Sequence, residues 1–145
     1  MRFDVENQVC VAQAFTGNAT VSDNSIQKGT AAQDISIGRR MAFLCLPVVA
    51  QGSGSTMTVE VIQADNAALT SNVQALSSVS VVAAKMQLGD QLEVPIPQGV
   101  MTKQFLGLRV TLTGGTTTIT LDAYLVPQDE ITKFKTFPKV VNVEV

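Results

Sequence analysis

The stretch FLGLRVTLTGGTTTITLDAYLV, Phe105 to Val126, decides the class of fold. Apolar and polar residues alternate on both sides of Gly114-Gly115. Leu106, Leu108, Val110 and Leu112 share one face of the first half, and Ile119, Leu121, Ala123 and Leu125 share one face of the second. A period of two is that of a β-strand with one buried face. The Gly-Gly pair suits the positive φ angles of a tight hairpin turn, so the pattern predicts a hairpin in which Val110 faces Ile119, Leu108 faces Leu121 and Leu106 faces Ala123. On the other face, this register sets Arg109 near Asp122 as a cross-strand ion pair and Phe105 opposite Tyr124. An aromatic pair on the outer face predicts a cover at that end, supplied by a loop or arm of the same subunit or by a neighbouring one.

Outward from this stretch the chain repeats the same grammar. Met41 to Val49 is a nine-residue run without charge, read as a strand buried on both faces, with Pro47 marking a bulge or an edge because it donates no ladder hydrogen bond. Met57, Val59 and Val61 alternate with Thr58, Glu60 and Ile62. Ile26, Asp34 to Gly38, Val79 to Ala83 and Leu92 to Ile96 add short strands, and Ala64 to Ser78 reads as an irregular connection rich in Ser, Thr and Asn. Gly, Pro, Ser and Asn punctuate seven or eight strands, and no long helical period is present. The prediction is an all-β antiparallel β-sandwich or jelly roll with extended N- and C-terminal arms. Its expected divisions are an N-terminal arm at 1–19, the sandwich at 20–127 and a C-terminal arm at 128–145.

The chemistry available to this scaffold is narrow. The 145 residues contain no His and no Trp, which removes Ser-His-Asp and Cys-His catalysis and His-based metal sites. Glu60, Glu93 and Asp122 alternate with apolar neighbours as ordinary outward residues do. No glycine run is followed by Lys-Ser/Thr and a helix, so no phosphate loop is read. Asp23-Asn24 and Asp65-Asn66 read as turn formers, not calcium ligands. The expectation is a protein that is not an enzyme and carries no cofactor or metal. Net charge is −2 with scattered charges, against a nucleic-acid partner. Cys10 and Cys45 are too few for a disulfide framework, and Cys45 lies in the apolar run. MRFDVENQV places charges where a signal peptide needs its apolar stretch, and no run reaches the length of a membrane span, so neither export nor a membrane partner is expected.

A succession of segments carries a family resemblance. ENQVCVAQAFTGNAT (6–20) precedes a strand at Ile26, DISIG (34–38) precedes an apolar strand, and LGDQLEVPIPQG (88–99), FLGLRVTLTGG (105–115) and ITLDAYLV (119–126) follow in order. In this order and spacing the chain resembles the jelly-roll capsid cement (decoration) proteins of tailed bacteriophages. The family's Arg-Tyr pair before the fourth of these strands is here Gln104-Phe105. The resemblance implies a structural protein of the virion, made in the host cytoplasm and bound to the outer surface of the capsid. Its implied partners are the major capsid protein and further copies of itself, a dimer in preference to a trimer. The other reading kept open is a carbohydrate- or receptor-binding β-sandwich module of a tail or fibre, against which stand one Tyr and no Trp. Candidate interface residues are Phe3 and Asp4 near the N-terminus, Arg39 and Arg40 before a strand, Phe105 and Tyr124, and Phe134, Lys135, Phe137, Val141 and Val143 in the C-terminal arm.

Overall fold

The computed structural model describes residues 7–16, 19–27, 40–49, 56–114, 118–129 and 131. Nine strands occur among them: β1 (Gln8–Phe15), β2 (Thr20–Val21), β3 (Ile26–Gln27), β4 (Met41–Pro47), β5 (Thr56–Ala64), β6 (Gln74–Val82), β7 (Leu92–Pro95), β8 (Phe105–Thr113) and β9 (Ile119–Pro127). A 3-10 turn, Ala83–Lys85, follows β6. One sheet runs β1-β9-β4-β7; the other runs β2-β8-β5-β6, with β3 also on β8. Every pairing is antiparallel. Counting β2 and β3 as one interrupted strand gives two four-stranded sheets whose order is that of a jelly roll. The chain is an all-β sandwich, as the alternation predicts.

The hairpin is corrected. β8 and β9 have the predicted inward faces: Leu106, Leu108, Val110 and Leu112 are buried, as are Ile119, Leu121, Ala123 and Leu125. The two strands nevertheless belong to opposite sheets, β8 between β2 and β5, and β9 between β1 and β4. Their apolar faces meet across the core and share no ladder. Alternation states which side chains point inward; it is identical for two strands side by side and for two strands stacked face to face. Gly114 does take φ 85, while residues 115–117 lie outside the described part.

The central strands follow their composition. β4 lies between β9 and β7 and buries Ala42, Phe43, Leu44 and Cys45 completely. Pro47 ends it, past the last residue that β7 pairs, Cys45, so its missing N–H interrupts no ladder on that side. On β5, Met57, Val59 and Val61 face the core, and Ile62 and Ala64 pack outward under Leu69 of the following loop. Asn66 builds that loop: its Oδ1 accepts the N–H groups of Thr70 and Ser71 at 2.9 and 3.0 Å. Asp65-Asn66 is thus a turn former.

Two boundaries move. Gln8–Phe15, read from sequence as arm, is an edge strand paired with β9. Its alternation is broken by two register irregularities and by Ala12 at φ 44, which is why the segment reads as mixed. At the other end Ile131 is fully buried against Ala42, Leu44 and Val126, so packed structure continues past residue 127.

Candidate interaction surfaces

Among the described residues no three His, Cys, Asp or Glu side chains group as a metal site. The three strand carboxylates point away from the core on different elements: Glu60 on β5 of one sheet, Glu93 on β7 and Asp122 on β9 of the other. Glu60 sits opposite Arg109 in the β5–β8 register and accepts its Nε at 2.7 Å. Asp122 accepts the Ala12 N–H at 2.7 Å and so holds the kink of β1. The Arg109–Asp122 pair drawn from the hairpin is therefore replaced, because the strands that carry them lie in different sheets.

The same separation splits the aromatic pair. Phe105 packs on the outside of one sheet with Ile62, Ala64, Leu69, Val21 and Val73. Tyr124 packs on the outside of the other with Leu44, Leu46, Val126 and Ile131. Each is covered by its own chain, Phe105 by the 65–73 loop and Tyr124 by the turn that carries Ile131. Burial, with the Asp122 carboxylate adding to it, raises the Tyr124 phenol above its ordinary value.

Arg40 is exposed and its carbonyl accepts the Gln128 N–H at 2.9 Å. With Ser77, Ile96, Gln98 and Gln128 it lines a cleft of about 450 Å³ where β6 of one sheet approaches β7 of the other. Ser77 Oγ closes the floor by donating to the Pro95 carbonyl at 2.7 Å. A second cleft, about 330 Å³, lies between Leu46, Pro47, Val48, Asp90, Gln91 and Asp122. There the buried Oε1 of Gln91 has no partner among the described residues. Of the other sequence candidates, Phe3, Asp4, Arg39, Phe134, Lys135, Phe137, Val141 and Val143 lie outside the described residues.

Both cysteines are buried free thiols. Cys10 and Cys45 flank the same residue, Ala123, from opposite sides of β9. Two strand spacings separate them, about 10 Å, beyond the reach of a disulfide. Burial pushes the Cys45 thiol up to about 12 and raises Cys10 further, with Cys45, Asp23 and Asp122 adding to the effect there.

Sequence reading missed the buried amides that tie loops to strands. Gln63 is fully buried; its Oε1 accepts the N–H groups of Thr102 and Lys103 at 2.9 and 3.1 Å, and its Nε2 donates to Gln74 Oε1 at 2.8 Å. Gln13 donates to the Val21 carbonyl and accepts the Asp23 N–H, joining the first sheet to the second. A polar residue at the inward or outward end of an alternating strand carries no signal of its burial in sequence.

A family model, Bbp16, matches residues 9–125. No curated protein matches the chain. Among solved structures, the crystal structure of PirA is 8% identical with a TM-score of 0.44, over 87% of this chain and 99% of that one. A C-terminal family 22 carbohydrate-binding module of Clostridium thermocellum Xyn10B is 11% identical with a TM-score of 0.38, over 86% and 88%. The Clostridium thermocellum xylanase 10B CBM22-1–GH10 modules are 12% identical with a TM-score of 0.37, over 85% of this chain and 26% of that one.

Proposed function

We propose that this chain, which belongs to the Bbp16 family, is a structural protein of a phage virion, a capsid cement protein that binds the outer surface of the head and clamps neighbouring major capsid subunits. The observation that carries the reading is the coincidence of motif and element. The segments that resemble cement proteins fall on successive parts of one jelly roll: AQAF ends β1, LEVP is β7, FLGLRVTLT is β8 and ITLDAYLV lies in β9. A rigid sandwich whose side chains are spent on packing and loop anchoring suits a clamp.

The mechanism is additive contact. Each capsid subunit meets a modest surface, and an oligomer that engages several at once gains through effective concentration. Because the binding surface exists only on the assembled lattice, binding shifts the equilibrium toward the shell by mass action. The protein works at the capsid exterior after synthesis in the host cytoplasm, with the major capsid protein and its own copies as partners and without nucleic acid or membrane.

Incubation with undecorated phage heads followed by sedimentation tests this. Saturable co-sedimentation at a fixed ratio to the capsid subunit is expected. Absence of head binding overturns the proposal, and binding to glycans alone turns the reading to a carbohydrate-binding module.

A further inference from the structure

A two-sheet sandwich has four edges, and this one blunts three of them. β1 is kinked by two register irregularities and by Ala12 at φ 44, its bent N–H capped by Asp122. β7 is four residues long, ends on Pro95, and has the Pro95 carbonyl occupied by Ser77. The fourth position of the other sheet is shared by β2 and β3, two residues each. Kinks, prolines and short strands are the usual devices that stop edge-to-edge pairing.

β6 has almost none of them. It is nine residues long, QALSSVSVV, with no charge and no proline. Among the described residues it pairs only with β5, and beyond one irregularity opposite Val61 and Ile62 its ladder is regular from Ser77 to Val82. Its core-facing residues Leu76, Val79 and Val81 are only partly buried although they pack on the core. Its outer face carries Ser78, Ser80 and Val82, and Val82 is 48% exposed.

We infer that β6 is the self-association edge of the protein, pairing antiparallel with β6 of a second copy about a two-fold axis at Val79. Residues opposite each other in a sheet share a face, so odd-numbered core-facing residues must meet odd-numbered ones. An axis at Val79 does this over Ser77 to Val81, within the regular ladder, setting Ser77 against Val81 and Ser78 against Ser80. A strand that meets its own copy sets its own charges close to one another, where like charges would repel; β6 has none to repel. The pairing continues the sheet through two sandwiches and covers the half-buried valines. It is isologous and therefore closes at two copies. This deepens the cement reading by giving the oligomer its surface, and it rests on that reading only for its purpose.

The full-length chain is examined by sedimentation velocity beside Ser78→Lys/Ser80→Lys, which sets like charges opposite each other on the exposed face and leaves the core untouched. The wild type is expected to sediment as a dimer and the double variant, with an unchanged circular dichroism spectrum, as a monomer. Val79→Cys is expected to form a covalent dimer under mild oxidation, since only a residue at a two-fold meets itself. A monomeric wild type, or a dimer that survives the double substitution, overturns the inference. Head binding is measured separately: a β6-paired dimer that ignores phage heads refutes the cement reading alone, and a monomeric wild type that decorates them refutes the edge alone.

Discussion

Gly107 shows how tightly single residues are specified here. A Cβ added to it would run into the Leu69 side chain and would stand 2.9 Å from Ser22 Oγ. Neither neighbour is free to yield. Leu69 is 1% exposed and held at φ 57, a conformation a leucine rarely takes. Ser22 Oγ donates to the Asn24 carbonyl and accepts the Leu108 N–H. Gly107→Ala is expected to cost about 1–3 kcal/mol in a urea titration, with the slope unchanged. In the sequence Gly107 is only a small residue on a strand, because the residue that fills the space above it arrives from a loop 38 positions earlier. The thiols give a second test. A thiol whose pKa rises on folding stays protonated in the native state after the unfolded chain ionises. Its stabilising contribution is therefore complete below about 9 and is lost as pH rises toward about 12, the Cys45 value. The urea midpoint should fall above pH 9, and Cys45→Ala should flatten that decline.

At the scale of elements, the sandwich depends on loops pinned by buried amides. Gln63→Leu removes the acceptor of two backbone N–H groups in the 97–104 connection and the donor to Gln74. A loss of about 1–3 kcal/mol is expected. Hydrogen exchange should quicken at Thr102 and Lys103 first, which separates an unpinned loop from a general weakening. By contrast, Glu60 and Arg109 are both partly exposed, so their pair should contribute less than about 1 kcal/mol. Strand identity was legible: β4, β5, β8 and the inward faces of β8 and β9 follow directly from their alternation. Strand partnership was not. A short-range pattern reports the polarity of the space on each side of a strand, while the choice between hairpin and face-to-face stacking depends on which other strands compete for its two edges. β9 is claimed by β1 and β4, so β8 pairs elsewhere. β1 itself was illegible because its kink breaks the period that reveals strands.

For the molecule as a whole, the interface candidates were legible only as residue types. The structure divides Phe105 from Tyr124 and assigns both to cover within the chain, and it leaves Arg40 at an exposed cleft. Ile131 was hidden because one isoleucine among polar residues has no periodicity. A chain ending at 127 should lose about 2–4 kcal/mol, since Ala42 and Leu44 lose the Ile131 side chain above them. Under the cement proposal a chain ending at 132 should occupy fewer sites on heads at equal concentration. One register has a further consequence. Gln8, at the start of β1, lies opposite Tyr124, near the end of β9. The first and last strands are neighbours, and the peptide bonds that open and close the described fold leave from the same pole. Such a chain is a candidate for circular permutation: a short bridge across that pole and a cut between Gly114 and Thr118 at the opposite one would redraw the order of synthesis and keep every ladder.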